Sequence, residues 1–215
     1  MQRKHMSATS PDTHTTDLMN VPNQVTISRI FLSVVLFVFL SLGWYKTSMA
    51  LFVLTALTDW VDGYWARKYG QITQLGRVLD PFADKLFICG TFVFLAAVPK
   101  LANEICPSGI AAWMAVLIMG RELLVTALRT FVEQQGGDFS AKWVGKWKMV
   151  LQCIAAGWSI VHLSYVNSAH NAWQIAPPAW MSQGLVFVVW GALLLTLYSG
   201  WIYVRASLAI FRKSE

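Results

Sequence analysis

Four aspartates that could bind a metal ion lie in one short stretch, residues 59–84. Asp59 and Asp62 are three residues apart and Asp80 and Asp84 are four apart, so on a helix each pair lies close to one face. A carboxylate near the centre of a bilayer costs about 2.5–3.5 kcal/mol, so four of them beside apolar segments need compensation. A bound cation is the simplest compensation. Oxygen ligands, with no Cys or His between them, favour Mg²⁺ or Mn²⁺ over Zn²⁺.

The residues between the two acid pairs suit a phosphate-bearing ligand. Gly63, Ala66 and Gly76 lack bulk and would let a ligand or a backbone come close. Arg67 brings a guanidinium, whose fixed geometry matches phosphate. We therefore predict a divalent metal site beside a phosphate-bearing ligand at the membrane surface. Two alternatives remain: the acids could be neutralised by nearby Arg and Lys side chains alone, and Gly76 could serve only the turn.

These residues also carry a family resemblance. Asp-x-x-Asp-Gly-x-x-Ala-Arg, from Asp59 to Arg67, is followed after eight residues by Gly-x-x-x-Asp-x-x-x-Asp, from Gly76 to Asp84. This pattern resembles the complete signature of the CDP-alcohol phosphotransferases, with every fixed position filled. The resemblance implies an integral membrane enzyme, most often a homodimer, that binds CDP-diacylglycerol and depends on Mg²⁺ or Mn²⁺, with two ions expected.

The resemblance also assigns roles to individual residues. The expected metal ligands are Asp59, Asp62, Asp80 and Asp84. Asp84 is also the expected general base, although the sequence leaves open whether it is base, metal ligand or both. The expected contacts to CDP-diacylglycerol are Asp62, Gly63, Ala66, Arg67, Gly76, Asn23 and Thr26.

A second group of charged residues indicates where a phosphate-bearing acceptor could bind. Arg121 lies deep in an apolar segment and needs a partner, which we expect to be an aspartate of the cluster or a phosphate rather than Glu122, its sequence neighbour. Arg129, eight residues later, lies near the same helix face. The segments around Gly120-Arg121-Glu122 and 145–148 resemble those of bacterial phosphatidylglycerophosphate synthases. By analogy, the glycerol 3-phosphate site would comprise Arg121, Lys146, Lys148, Arg129 and Arg29. Alternatively, the lysines only mark the cytoplasmic side.

Composition excludes an ordinary soluble domain. The chain has 215 residues, of which 56% are hydrophobic and only 13% charged. Its net charge of +6 is scattered between apolar segments, which favours anionic lipids and phosphate ligands over nucleic acid. The sequence therefore predicts an all-α membrane protein.

The apolar segments predict six transmembrane helices in one domain. Residues 1–17 read as a disordered cytoplasmic tail, and residues 18–215 as a single six-helix domain that begins with a short interfacial helix around Pro22. Basic residues concentrate at both termini and in the loops after the second and fourth segments, which places those regions and the aspartates in the cytoplasm. We expect a bacterial inner-membrane protein. The predicted spans are about 30–44, 49–65, 79–98, 110–131, 143–166 and 184–204.

Two rival functions remain at this stage. Another member of the same family would use a different acceptor, such as serine, inositol phosphate or, in a cardiolipin synthase, phosphatidylglycerol. An acceptor without phosphate has less use for Arg121, Lys146 and Lys148. In a different class, intramembrane acids could line an ion or proton pathway. A pathway predicts acids spread through the depth of the membrane, whereas these four are clustered.

Overall fold

The computed structural model describes five stretches of the chain, residues 21–69, 74–99, 106–134, 143–166 and 177–214. Side chains are described within these stretches except near some of their ends. The side chains left out include those of residues 21–23, 59–69, 74–78 and Lys146. The predicted tail, residues 1–17, lies outside the described residues.

All regular structure in the described stretches is helical, which confirms the all-α prediction. These stretches contain six helices, and α5 has the bounds predicted for the fifth span. The helices are α1 (Val21–Ser41), α2 (Tyr45–Tyr69), α3 (Gln74–Ala96), α4 (Ala112–Gln134), α5 (Trp143–Val166) and α6 (Ala179–Ser214).

Three of the helices are long and apolar enough to cross a membrane, within the residues described. Their apolar windows are Gln24–Ser41, Trp147–Val166 and Ala179–Leu208. Large apolar side chains such as Phe31, Leu123 and Phe187 are exposed on the outside of the bundle, as expected for a surface that meets lipid. The protein is a multi-pass membrane protein. The other three predicted spans fall on α2, α3 and α4, where charged residues interrupt the apolar sequence.

The predicted interfacial helix is not separate in the described part of the chain. Residues 21–29 form the first turns of α1 without a break. Pro22 is the second residue of the helix. At that position its missing N–H removes no intrahelical hydrogen bond, so proline starts a helix there rather than ending one.

The helices pack around one apolar core. α1 packs on α2 and α3, α5 packs on α2, α3 and α6, and α4 packs on α3 and α6. Stacked rings join the first three helices: Phe37 and Phe94 have centroids 4.9 Å apart, and Phe52 and Phe87 5.0 Å apart. Ile160 of α5 lies fully buried in the same core.

A hydrogen-bonded cluster closes one end of the bundle, where α3 leads to α4 and α5 leads to α6. His162 Nδ1 lies 2.9 Å from the carbonyl oxygen of Pro107, and its Nε2 lies 3.1 Å from Ser182 Oγ. Ser159 Oγ donates to the carbonyl of Ser108 at 2.7 Å. These bonds tie the segment before α4 to α5 and α6. His162 is therefore a satisfied histidine of the helix bundle. The predicted site residues lie toward the other end.

The contact between α1 and α3 gives a test of the packing. A Cβ added at Gly90 would overlap the ring of Phe37, which is already held by stacking on Phe94. We expect Gly90→Ala to lower the free energy of unfolding by about 1–3 kcal/mol, the usual cost of overpacking. Gly120→Ala is the control, because nothing lies within 4 Å of its added Cβ. Thermal unfolding in detergent measures both. Equal stability of the two variants would contradict this packing.

Candidate active site

A cavity of about 380 Å³ lies at the end of the bundle opposite His162. It is lined from the first half of α3, the second half of α4, the start of α5 and the second half of α6, so these helices run alternately up and down. Five predicted site residues line it: Asp80, Asp84, Arg121, Arg129 and Lys148. Residues that are far apart in sequence thus meet in one space.

The two acids of α3 are held by side chains of α1. Thr26 Oγ1 donates a hydrogen bond of 2.5 Å to Asp80 Oδ1. Arg29 Nη1 forms an ion pair of 2.6 Å with Asp84 Oδ1, and the Arg29 side chain is only 4% exposed against 37% for Asp84. Thr26 and Arg29 are themselves buried, whereas the carboxylates reach the cavity. Helix α1 therefore fixes both carboxylates where ligands can reach them.

This arrangement gives Thr26 and Arg29 a contact that the sequence did not indicate. Both were predicted to touch substrate. In the structure each binds an aspartate, and neither is among the described residues that line the cavity. Their contacts with substrate stay predictions. Pro81 follows Asp80 within α3, and Lys85 Nζ donates to the Pro81 carbonyl at 3.1 Å.

Two of the four predicted metal ligands, Asp80 and Asp84, have described side chains. Asp59 and Asp62 belong to the last turns of α2, but their side chains lie outside those described. Among the described side chains, no group of three or more His, Cys, Asp or Glu residues is close enough to hold a metal. Asp80 and Asp84 supply two carboxylates, one helical turn apart, at the cavity. Their oxygen chemistry fits a hard divalent ion, and further ligands would have to complete its shell.

The basic side of the cavity is formed by α4 and α5. Arg121 Nη1 lies 3.0 Å from Glu122 Oε1, and Lys148 Nζ forms an ion pair with the same oxygen. Arg121 Nη2 donates a 2.7 Å hydrogen bond to Ser199 Oγ of α6. Arg121 and Lys148 are buried and Glu122 nearly so, with side chains 8%, 9% and 14% exposed. Two cations and one anion therefore share a site that is largely closed to solvent.

The expectation that Arg121 would not pair with Glu122 was wrong, whereas a phosphate partner stays a prediction. We expected an aspartate of the cluster or a phosphate, because neighbours in sequence point in different directions from a helix. That rule describes Cβ positions. The Arg and Glu side chains are long enough to curl toward each other around the helix, and the structure pairs Arg121 with Glu122.

Of the remaining predicted residues, Arg129 has a described side chain, which is exposed and lines the cavity. The others lie on described helices, but their side chains are not described. The side chains outside those described belong to Asn23, Gly63, Ala66, Arg67, Gly76 and Lys146. Their predicted contacts stay predictions.

Sequence reasoning missed the residues that surround Arg121 and Lys148. Gln152 donates to Thr196 at 2.9 Å, and Tyr203 places its ring 6.0 Å from the Arg121 guanidinium carbon. Thr196, Ser199 and Tyr203 are spaced three and four residues apart, which puts them on one face of α6. That polar stripe in an otherwise apolar helix was the signal that could have found them.

Comparison with known proteins decides the family. The model of the CDP-alcohol phosphatidyltransferase family matches residues 19–198. The chain belongs to this family. The phosphatidyltransferase assignment agrees with the aspartate pattern and confirms the resemblance predicted from it.

Three curated relatives of this phosphatidyltransferase are each 30% identical to it. The Bacillus subtilis (strain 168) protein aligns over 203 residues, 86% of this chain and 94% of its own. The Escherichia coli (strain K12) protein aligns over 195 residues, which are 88% of this chain and 96% of its own. Both are named CDP-diacylglycerol–glycerol-3-phosphate 3-phosphatidyltransferase. An Arabidopsis thaliana relative aligns over 167 residues, which are 72% of this chain and 70% of its own. It carries the same name followed by the number 2.

The hydrogen bond from Thr26 of α1 to Asp80 can be tested by mutation in this phosphatidyltransferase. Thr26→Val keeps the side-chain shape but removes the donor to Asp80. We expect the free energy of unfolding to fall by about 1 kcal/mol, because water can reach the exposed carboxylate and replace part of the bond. The matched control is Thr55→Val. Thr55 is also buried, but its hydroxyl donates only to Leu51 of its own helix, at 2.8 Å. Thermal unfolding in detergent measures the stability of both variants. A larger loss of stability in Thr55→Val than in Thr26→Val would contradict this role of Thr26.

Proposed function

We propose that the protein transfers the phosphatidyl group of CDP-diacylglycerol to glycerol 3-phosphate, giving phosphatidylglycerol phosphate and CMP. The observation that carries the proposal is the cavity in which the carboxylates of α3 meet the buried Arg121 and Lys148 of α4 and α5. Such a site has groups for a metal-bound diphosphate and for a second, phosphate-bearing substrate. The names of the relatives support the same two substrates.

The acids supply the metal side of the site. Asp59, Asp62, Asp80 and Asp84 would hold one or two Mg²⁺ or Mn²⁺ ions. When bound, such ions neutralise the charge of the diphosphate and stabilise the departing CMP. Thr26 supports this set through Asp80, which it fixes by a hydrogen bond.

The nucleotide and diphosphate would lie beside the segment that joins α2 and α3. Gly63, Ala66 and Gly76 offer little bulk there, and Arg67 offers a fixed positive charge. Asp62 would contact the nucleotide as well as the metal, and Asn23 would contact the lipid substrate from the start of α1. The acyl chains of CDP-diacylglycerol would remain in the surrounding lipid.

The acceptor would bind with its phosphate at Arg121 and Lys148, and with Arg129 at the exposed part of the cavity. Lys146 would add charge from α5. Guanidinium and ammonium groups both bind phosphate strongly where water is excluded. Holding the phosphate there would direct a hydroxyl of glycerol 3-phosphate toward the acids of α3.

Asp84 would accept the proton of that hydroxyl. The hydroxyl oxygen then forms a bond to the phosphorus that carries diacylglycerol, and the bond from that phosphorus to the CMP oxygen breaks. Arg29 acts here by orienting Asp84, to which it is ion-paired at 2.6 Å. It touches the acceptor only if that pair opens.

We infer the cellular setting from the same features. Residues 18–215 would form a single domain with six membrane crossings, both termini and the active site facing the cytoplasm of a bacterial inner membrane. That orientation follows from the distribution of basic residues and lets a cytosolic acceptor reach the cavity. A homodimer is expected from the family.

An acceptor assay tests the proposal. Purified protein in detergent, given CDP-diacylglycerol and Mg²⁺, should release CMP when glycerol 3-phosphate is added. Serine should support a rate on the order of 100-fold lower, because it would leave the buried cations without an anion. Chelation by EDTA should abolish the reaction and added Mg²⁺ should restore it.

Inositol phosphate and phosphatidylglycerol, tested in turn, are the controls for a different acceptor. CMP release that depends on one of them instead of glycerol 3-phosphate would overturn the proposed acceptor. A protein in detergent has no ion gradient across a membrane. Metal-dependent CMP release under these conditions therefore shows enzymatic activity, which a protein that is only a transporter would lack.

A further inference from the structure

Arg121 and Lys148 are held together by one carboxylate oxygen. Glu122 Oε1 lies 3.0 Å from Arg121 Nη1 and is ion-paired with Lys148 Nζ. The amide Nε2 of Gln152 lies 3.5 Å from the same oxygen and donates to Thr196 at 2.9 Å. The contact therefore joins α4 to α5, and through Gln152 to α6.

Helix α6 holds the Arg121 side chain from the other direction. Ser199 Oγ accepts a 2.7 Å hydrogen bond from Nη2. At Gly200, an added Cβ would lie 2.9 Å from Arg121 Cγ and 3.3 Å from its Nε. Because Cγ lies close to the backbone of α4, it cannot swing away as the tip of a long side chain can. The Arg121 side chain therefore contacts α6 at Gly200, where the Cβ of any other residue would be too close to it.

The charges explain why these contacts are needed before any ligand binds. Two buried cations side by side repel each other strongly, since little solvent screens them. Glu122 offsets one positive charge and leaves the group with a net charge of +1, which still attracts an anion. Arg121 Nε is buried and has no hydrogen-bond partner within the described part of the chain. The group thus keeps one uncompensated positive charge and one N–H without a hydrogen-bond acceptor among the described residues.

We propose that Glu122, Ser199 and Gly200 are positioning residues that preset Arg121 and Lys148 as a single receptor for the phosphate of the acceptor. The inference rests on the proposed function for the identity of that acceptor. Glu122 sets the separation of the two cations, and α6 sets the path of the arginine. A ligand phosphate then binds without first having to order two long side chains, whose ordering would otherwise weaken its affinity.

The test compares two glycines of α6. Gly200→Ala should displace Arg121 without changing any charge. Gly191→Ala is the matched control, because its added Cβ would make an ordinary contact of 3.6 Å with Leu151. The first readout is binding of inorganic phosphate to the purified protein, measured by titration calorimetry in detergent. We expect the Kd to rise about tenfold in Gly200→Ala, as for the loss of one charge-assisted hydrogen bond, and to stay unchanged in Gly191→Ala.

The second readout is steady-state CMP release. In Gly200→Ala, the KM for glycerol 3-phosphate should rise about tenfold, while kcat and the KM for CDP-diacylglycerol stay within about twofold. Glu122→Gln, which keeps the shape but loses the charge, should raise the same KM. A variant with a merely structural defect would instead lower kcat and disturb both KM values.

The outcomes separate this inference from the proposed function. If phosphate binding weakens in Gly200→Ala but the wild-type protein releases no CMP with glycerol 3-phosphate, the receptor stands and the proposed function fails. If the wild-type protein is active but Gly200→Ala and Glu122→Gln leave phosphate affinity and the KM for glycerol 3-phosphate unchanged, the positioning role is wrong. A wild-type protein that binds no inorganic phosphate would also overturn it.

Discussion

The structure depends on one constraint: charged side chains placed among membrane helices must find partners on other helices. Arg29 of α1 pairs with Asp84 of α3, and Lys148 of α5 pairs with Glu122 of α4. Breaking such a pair leaves a buried charge, which costs far more than the pair contributes. These links therefore fix the relative positions of the helices at the end of the bundle that carries the cavity. The opposite end is fixed by neutral hydrogen bonds around His162.

The same constraint arranges the candidate site in two parts. Asp80 and Asp84 present carboxylate oxygens from α3, while Arg121 and Lys148 supply positive charge from α4 and α5. One part suits a metal-bound diphosphate and the other a phosphate-bearing acceptor. A phosphatidyltransferase whose acceptor carries phosphate would need both, because its two substrates carry like charges and must be brought together. Charge pairing within the protein thus keeps the site assembled when no substrate is present.

Much of the fold and part of the site could be predicted from the sequence. Apolar segment length predicted the helices, and α5 has its predicted bounds because few charges interrupt its second half. The signature from Asp59 to Asp84 predicted the family, since fixed spacing on two helices is local information. The separate interfacial helix was not confirmed, because residues 21–29 belong to α1 without a break.

The partners of individual side chains could not be predicted from the sequence. Pairing of Arg121 with Glu122 depends on how two long side chains bend, which helix spacing does not specify. The contacts of Thr26 and Arg29 with the aspartates join residues more than fifty positions apart, and no local pattern indicates them. Ser199 and Gly200 were missed for the same reason: their role appears only when α6 lies against α4.

We propose that the acids of α2 and α3 converge on divalent ions at the cavity. Anomalous scattering from crystals of the protein grown with Mn²⁺ tests this most directly. We expect a peak at about 2.0–2.6 Å from carboxylate oxygens of Asp80 or Asp84, with Asp59 and Asp62 completing the site. Crystals saturated with Mn²⁺ that show no peak beside these aspartates would contradict it.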